Sequence, residues 1–268
     1  MLEVPDFLTV GEQAARAGGD ALLDWVGRFQ AREKGPRDLV TEADLASQEA
    51  VREQIVAAFP THDFVSEEGE GPVSLNGEYC WVVDPLDGTT NYVHQIPHYA
   101  VSLALLRRGQ PIVGVIFDPV NRECFTAVKG QGAWLNGQPI RTSGVTELSQ
   151  AVIAASFSAR VDFPSPEIDQ FVAAVKGTQG VRRTGSAALN LCYVAAGRFD
   201  AFWALSTKAW DVAAGVLLVE EAGGVVTRLD GGPFSLEAPH PVATASIALQ
   251  RRFCDLLSSA APIGERLK

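Results

Sequence analysis

The sequence predicts a mixed protein, α+β in its first half and α/β in its second. Three observations carry that expectation. Several strand-like apolar runs follow one another from Tyr79 to beyond Gly137 with no helical pattern between them. After residue 150 strand-like and helical segments alternate. The composition, 47% hydrophobic and 20% charged over 268 residues, is that of a packed chain rather than a disordered one. The length suits one large domain or two smaller ones sharing a core.

A first helix is read from Leu22, Trp25, Val26 and Phe29, spaced i, i+3, i+4, i+7 on one apolar face. Gly35-Pro36 interrupts the chain beyond it. Thr41-Glu42-Ala43-Asp44 reads as a capping box with Thr41 at the N-cap and Asp44 at N3. Val51, Ile55 and Phe59 give the second helix its buried face, and Pro60 ends it. Tyr79–Val83 is a continuous apolar run, as expected of a strand covered on both faces. Ala100–Leu106, Ile112–Phe117 and Cys124–Val128 follow as further strands, and Asn136-Gly137 marks a hairpin turn. Together they predict an antiparallel meander.

The second half starts with a strand at Ala151–Ala155. Ser165-Pro166 opens a helix with proline at N1. Ser186 caps another helix, which Gly197 ends. Phe199–Trp203 and Val225–Arg228 are strands, and Asp211–Ala222 is a helix stopped by Gly223-Gly224. A last helix carries Leu249, Phe253, Leu256 and Leu257. Strand and helix in alternation are the α/β pattern. A division near residues 142–150 gives an N-terminal unit, 1–145, and a C-terminal unit, 146–268.

The net charge is −10, from 22 Lys+Arg against 32 Asp+Glu. That balance argues against general nucleic-acid or anionic-membrane binding, which need a basic footprint. It is compatible with a phosphorylated substrate, because a bound cation inverts the local sign of charge. Cys80, Cys124, Cys192 and Cys254 form no C-x-x-C pair and are read as buried free thiols. The first residues lack the pattern of a secretory leader, and no apolar run approaches the ~18 residues of a membrane span. The expected location is the cytoplasm. His62, His94, His98 and His240 are not paired with a Ser or Cys and are read as surface or packing residues.

Chemistry concentrates in Asp84-Pro85-Leu86-Asp87-Gly88-Thr89-Thr90-Asn91. Two carboxylates leave the end of a buried strand, and oxygen ligands suit hard cations such as Mg²⁺. Gly88 admits close approach to the backbone. The helix expected to start at Gly88-Thr89-Thr90 would offer free N–H groups to a phosphate. Val65-Ser66-Glu67-Glu68-Gly69 adds a carboxylate pair upstream, and Trp210-Asp211 places another in a helix's first turn. Each carboxylate also has a simpler local role: Asp44 in the capping box, Asp211 against the helix dipole, and the others in solvated turns.

These segments, with Asp38-Leu-Val-Thr-Glu-Ala-Asp44, Gly185-Ser-Ala-Ala-Leu-Asn190 and Glu221-Ala-Gly-Gly224, resemble the inositol monophosphatase family in order and approximate spacing, over roughly residues 10–255. The resemblance implies a layered α-β-α-β-α sandwich with an antiparallel N-terminal sheet and a mixed C-terminal sheet. It implies a lithium-sensitive phosphatase using two or three Mg²⁺ ions, with Mn²⁺ as a possible substitute. Glu67, Asp84 and the Leu86 carbonyl would hold one ion, and Asp84, Asp87 and Asp211 a second. A third, weaker ion would rest on Glu67 through water, with Asp44 in its outer shell. The Gly88 and Thr89 amides would hold the phosphate, while Thr89 and Glu67 would orient the attacking water. Gly185, Ser186 and Ala187, with Asp87 and Asp211, would line the substrate side.

The pattern departs from the family at one position. Inositol phosphatases of the family usually carry a glutamate seven residues before the W-D aspartate, contacting an inositol hydroxyl; here it is Ala204. Ser206, Thr207 or Lys208 are the candidate replacements. Inositol monophosphate is the first expected substrate and histidinol phosphate the second. The superfamily also includes phosphatases of fructose 1,6-bisphosphate and 3′-phosphoadenosine 5′-phosphate. The resemblance further suggests a homodimer. Some bacterial relatives act as accessory proteins of the transcription machinery, which gives a non-enzymatic alternative.

Overall fold

The computed structural model describes residues 4–35, 38–69, 74–158, 161, 162, 164–260 and 262. Pro36, half of the expected interruption, lies outside them. The chain runs α1 (Val4–Trp25), β1 (Arg32–Gly35), β2 (Asp38–Val40), α2 (Glu42–Ala58), β3 (Asp63–Ser66), β4 (Cys80–Asp87) and α3 (Thr89–Val93). The meander is β5 (Ala100–Arg107), β6 (Gln110–Asp118), β7 (Glu123–Val128), β8 (Gly132–Leu135) and β9 (Gln138–Pro139). Beyond a short 3₁₀ turn at Leu148–Gln150 come β10 (Val152–Ser156), α4 (Pro166–Gly177), β11 (Gly180–Arg182), α5 (Ala187–Ala195), β12 (Ala201–Ala204) and α6 (Ala209–Glu221). β13 (Val225–Thr227), β14 (Val242–Thr244) and α7 (Ile247–Ser258) complete it.

Five layers result. α1 and α2 pack on one face of a seven-stranded sheet ordered β3-β4-β5-β6-β7-β8-β9. α5 and α6 lie between it and a five-stranded sheet ordered β11-β10-β12-β14-β13, whose far side carries α4 and α7. This is the expected α-β-α-β-α sandwich. The first sheet is antiparallel from β4 to β9, and β3 joins its edge parallel to β4. The second sheet is mixed, with β10 parallel to β11 and β12, and β14 antiparallel to β12 and β13.

β4 shows why a continuous apolar run was required. Cys80 and Val82 face the middle layer, and Trp81 and Val83 face α1 and α2. Both faces are dry, so strand alternation sends apolar groups each way. The β8–β9 hairpin turns on Asn136 (φ 49°) and Gly137 (φ 75°), the paired positive angles of a type I′ turn.

The first helix differs from its sequence reading. It starts at Val4 and ends at Trp25, so Phe29 lies beyond it, packed at 5.0 Å on the Tyr92 ring. Val26 also lies beyond it and is 43% exposed. The buried face is Phe7, Gly11, Ala15, Gly18 and Leu22, one residue every three or four, with Trp25 of the sequence reading packed against the same core. A Cβ on Gly18 would come within 2.8 Å of Val51 and 2.9 Å of the Ser47 hydroxyl. Small residues let α1 approach α2 closely, but they carry little hydrophobic signal. The short strands β3, β11 and β14 were also absent from the sequence reading.

Candidate active site

The site is built where β4 breaks register. Asp84 pairs with Ser102 and Asp87 with Ala100, so three steps on β4 match two on β5. Pro85 has no N–H to continue the ladder, and a bulge of this kind re-aims side chains. Without it, two residues three apart would face opposite sides of the sheet. With it, Asp84 and Asp87 both face the middle layer, where α5 and α6 begin. Ser47 on α2 donates to the Pro85 carbonyl at 2.8 Å and fixes the bulge from behind.

Glu67 follows β3, which lies beside β4, and its N–H donates to the Val83 carbonyl at 3.1 Å. Asp211 sits in the first turn of α6, where its charge faces the helix dipole as expected, and it also caps the helix by accepting the Lys208 N–H at 2.7 Å. Glu67, Asp84 and Asp211 each offer an oxygen, and these lie within 4.8 Å of one another. Burial, followed by the neighbouring carboxylates Glu67, Asp87 and Asp211, pushes the Asp84 carboxyl well above its usual range. Asp211 is raised for the same reasons, chiefly burial and Asp87. A partly buried cluster of acidic oxygens, with the proton affinity of Asp84 and Asp211 raised, is a donor set for a hard cation. These residues therefore fit the divalent ion that the resemblance implies.

Asp87 stands beside the cluster with its own support. Its Oδ1 accepts the Ala187 N–H at 3.2 Å, and its Oδ2 accepts the Ala188 N–H at 2.9 Å and the Ser186 hydroxyl. Burial raises its pKa to about 6 against those three donors. Ser186 and Ala187, expected to line the substrate side, thus direct these donors to Asp87. Ser186 also caps α5 as expected, accepting the Leu189 N–H at 3.1 Å.

Thr89 Oγ1 lies 3.1 Å from the Leu86 carbonyl and 3.4 Å from Asp44 Oδ1, so one proton faces two acceptors. Asp44 completes the expected capping box through the Thr41 N–H at 2.8 Å and hydroxyl at 2.7 Å. Burial still raises its pKa. Gly88 is the N-cap of α3 at φ +98°, and a Cβ there would lie 3.1 Å from the His98 carbonyl. Gly185, at φ +94°, passes over the Asn91 carboxamide.

Lys34 was not anticipated. From β1 its ammonium donates to Glu67 Oε1 at 3.0 Å and to Glu68. Burial would lower its pKa, but Glu68 and Glu67 together outweigh that and raise it. The segment Arg32–Gly35 carries no sequence pattern that points to the cluster. Thr207, a candidate substrate contact, is buried with its hydroxyl donated to the Pro239 carbonyl. Ser206 and Lys208 are exposed. Ala204 is 1% exposed and pairs with Ser156.

The remaining groups match their packing roles. All four cysteines are free and buried, and burial pushes the Cys124 thiol up to about 12. His62 accepts the Trp81 indole N–H at 3.2 Å and stacks between Phe59 and Tyr79. Glu221 accepts the Gly130 and Gly132 N–H groups at 2.7 and 2.8 Å, so the E-A-G-G segment secures the β7–β8 turn.

A profile of the inositol monophosphatase family matches residues 4–261. The "Nus factor SuhB" of Pseudomonas aeruginosa is 42% identical over 245 residues, covering 88% of this chain and 90% of the relative. The "Inositol-1-monophosphatase" of Rhizobium meliloti is 43% identical over 243 residues, with 86% and 88% covered. Among solved structures, the inositol monophosphatase from Anabaena superposes with a TM-score of 0.87 at 37% identity, covering 98% of this chain and 99% of that one. The chain belongs to the inositol monophosphatase family.

Proposed function

We propose that the protein hydrolyses the phosphate monoester of a small polyol, with inositol monophosphate as first substrate and Mg²⁺ as the required ion. Histidinol phosphate, or another sugar or nucleotide phosphate, is the alternative. The observation that supports this most is the convergence of Glu67, Asp84 and Asp211 beside Asp87 on one face of a register break. Those four carboxylates and the Leu86 carbonyl would hold the ions. Bound there, Mg²⁺ would offset the negative charge of the phosphate and lower the pKa of water.

The chain's own groups supply the rest. The first amides of α3, at Gly88 and Thr89, would meet the phosphate oxygens. Thr89 and Glu67 would orient the attacking water, with Asp44 Oδ1 placed to accept the Thr89 proton. Hydrolysis of this kind needs positioning and electrostatics more than a protein nucleophile. A homodimer and a cytoplasmic location belong to the same reading; among the described residues no helix is long and apolar enough to cross a membrane.

The names of relatives support a second reading. Several are called Nus factor SuhB, which makes an accessory role with the transcription machinery a candidate beside the phosphatase. Phosphate release measured over a panel of phosphorylated alcohols tests the first reading. We expect turnover that requires Mg²⁺ and falls with Li⁺, and tolerance of several alcohols because Ala204 lacks a carboxylate. Full turnover in EDTA, or none with any substrate, would overturn it.

A further inference from the structure

Asn91 is the last residue of the D-P-L-D-G-T-T-N segment, and none of the roles above uses its side chain. It is 7% exposed, on the third position of the five-residue α3. Its Nδ2 donates to the His98 carbonyl at 2.7 Å and to the Thr184 carbonyl at 2.9 Å. Both neighbours are acceptors only, so the amide nitrogen must face them. The bond to Thr184 spans 93 residues of sequence and joins the first sheet's active-site turn to the segment that leads into α5.

Two glycines depend on the same contact. A Cβ on Gly185 would lie 2.7 Å from Asn91 Nδ2, and one on Gly88 would lie 3.1 Å from the His98 carbonyl and 3.4 Å from that of Gly185. Both sit at positive φ, where a side chain is strained in any case. The backbone at Gly88 therefore lies close to the Gly185 carbonyl, while Gly185 itself packs on the Asn91 carboxamide. Thr184 is held a second time, its hydroxyl donating to Asn190 Oδ1 at 2.7 Å. Two residues on, Ser186, Ala187 and Ala188 grip Asp87. Asp87 lies four residues before Asn91, which closes a ring: Asp87, the start of α5, Thr184, Asn91, α3, Asp87.

We infer that Asn91 is a positioning residue that locks the Asp87-Gly88-Thr89 turn, with its phosphate-facing amides, against the Thr184–Ser186 segment that leads into α5. Asparagine suits the place because one nitrogen supplies two donors from a short side chain. Aspartate, of the same shape, would turn a carboxylate toward two carbonyls. Alanine would leave both carbonyls without this donor. The inference rests on the phosphatase reading, since the amides matter only if phosphate binds there.

The test is calorimetry of inorganic phosphate binding in the presence of Mg²⁺, on wild type, Asn91→Ala and Asn91→Asp, well below each protein's Tm. A parallel titration with Mn²⁺ alone reports on the Glu67, Asp84, Asp87 and Asp211 set. We expect the phosphate Kd to rise about tenfold in Asn91→Ala and further in Asn91→Asp, the scale of one lost charge-assisted contact. The Mn²⁺ affinity should fall clearly less than the phosphate affinity, since Asn91 touches none of Glu67, Asp84 and Asp211 and reaches only Asp87 among the ion-holding carboxylates, through the start of α5. If Asn91→Ala does not fold, Asn91→Ser, which keeps one donor, takes its place. Phosphate affinity unchanged in the folded variants overturns the inference alone. So does a loss of phosphate and Mn²⁺ affinity in equal proportion, which marks general loosening. Wild type that binds Mn²⁺ but no phosphate overturns the phosphatase reading and this inference with it.

Discussion

Replacing Asp84 by asparagine should move stability and function in opposite directions. Asp84 is 2% exposed and shares its cluster with Glu67 and Asp211, the oxygens lying within 4.8 Å. Two unit charges about 4.8 Å apart at an effective dielectric of about 20 repel by about 3.5 kcal/mol. The pairs of Asp84 with Glu67 and with Asp211 together come to about 7 kcal/mol when all three are ionised in the metal-free protein. Burial and mutual repulsion push Asp84 and Asp211 toward their protonated forms, which relieves much of this and leaves about 1–3 kcal/mol to be gained. An amide oxygen can keep the bond from the Leu86 N–H, now 3.0 Å from Asp84 Oδ1. At about 2–4 °C per kcal/mol for a chain of this size, Tm in EDTA should rise by about 2–12 °C. With Mg²⁺ the order reverses. Wild type gains about 2.7 kcal/mol at a hundredfold excess over Kd, and the variant should gain little. Turnover should fall at least about 100-fold, the scale of removing one group that stabilises transition-state charge. Thermal unfolding with and without Mg²⁺, beside phosphate release, checks all three. A lower Tm in EDTA, or equal stabilisation of both proteins by Mg²⁺, would refute the reasoning.

Two further outcomes are expected. In the metal-free protein Asp87 titrates near 6, and Asp84, Asp211 and Asp44 are also raised. Raised folded-state values mean that the folded chain holds protons the unfolded chain releases. The Asp87 contribution to stability is present below the ordinary carboxylate range and is lost as pH climbs through about 6, and those of Asp84, Asp211 and Asp44 are lost in the same direction as pH passes their own raised values. Tm in EDTA should therefore fall from pH 5 to 8, and added Mg²⁺ should restore more at pH 8 than at pH 5; a flat profile would count against the buried cluster. Ala204→Glu should raise kcat/KM for inositol monophosphate over glycerol phosphate by about tenfold, one hydrogen bond to a substrate hydroxyl. An unchanged ratio would show that this position does not reach the substrate.

Some of this was legible in the sequence and some was not, for physical reasons. The β4 run and the Asp84–Asn91 turn could be read because both signals are local: unbroken apolar residues, then carboxylates and a glycine. The Thr41 box and the Asn136-Gly137 turn are local in the same way. Leu22 and Trp25 marked the end of the α1 face, but its middle could not be read from hydrophobicity, since Gly11, Ala15 and Gly18 bury backbone rather than large side chains. β3 and β14, four and three residues long, take their conformation from the strands beside them. At the site, Asp84, Asp87 and Asp211 were recognisable one by one. That Asp87 would rest on the start of α5, and Lys34 on Glu67, depends on contacts between distant segments. The Asn91–Thr184 bond belongs to the same class.

The most direct test of the account is anomalous diffraction from crystals grown with Mn²⁺ and inorganic phosphate. The account predicts manganese peaks among the carboxylates of Glu67, Asp84, Asp87 and Asp211, with phosphate against the Gly88 and Thr89 amides. Manganese bound elsewhere, with these four side chains holding only protons and Lys34, would contradict it.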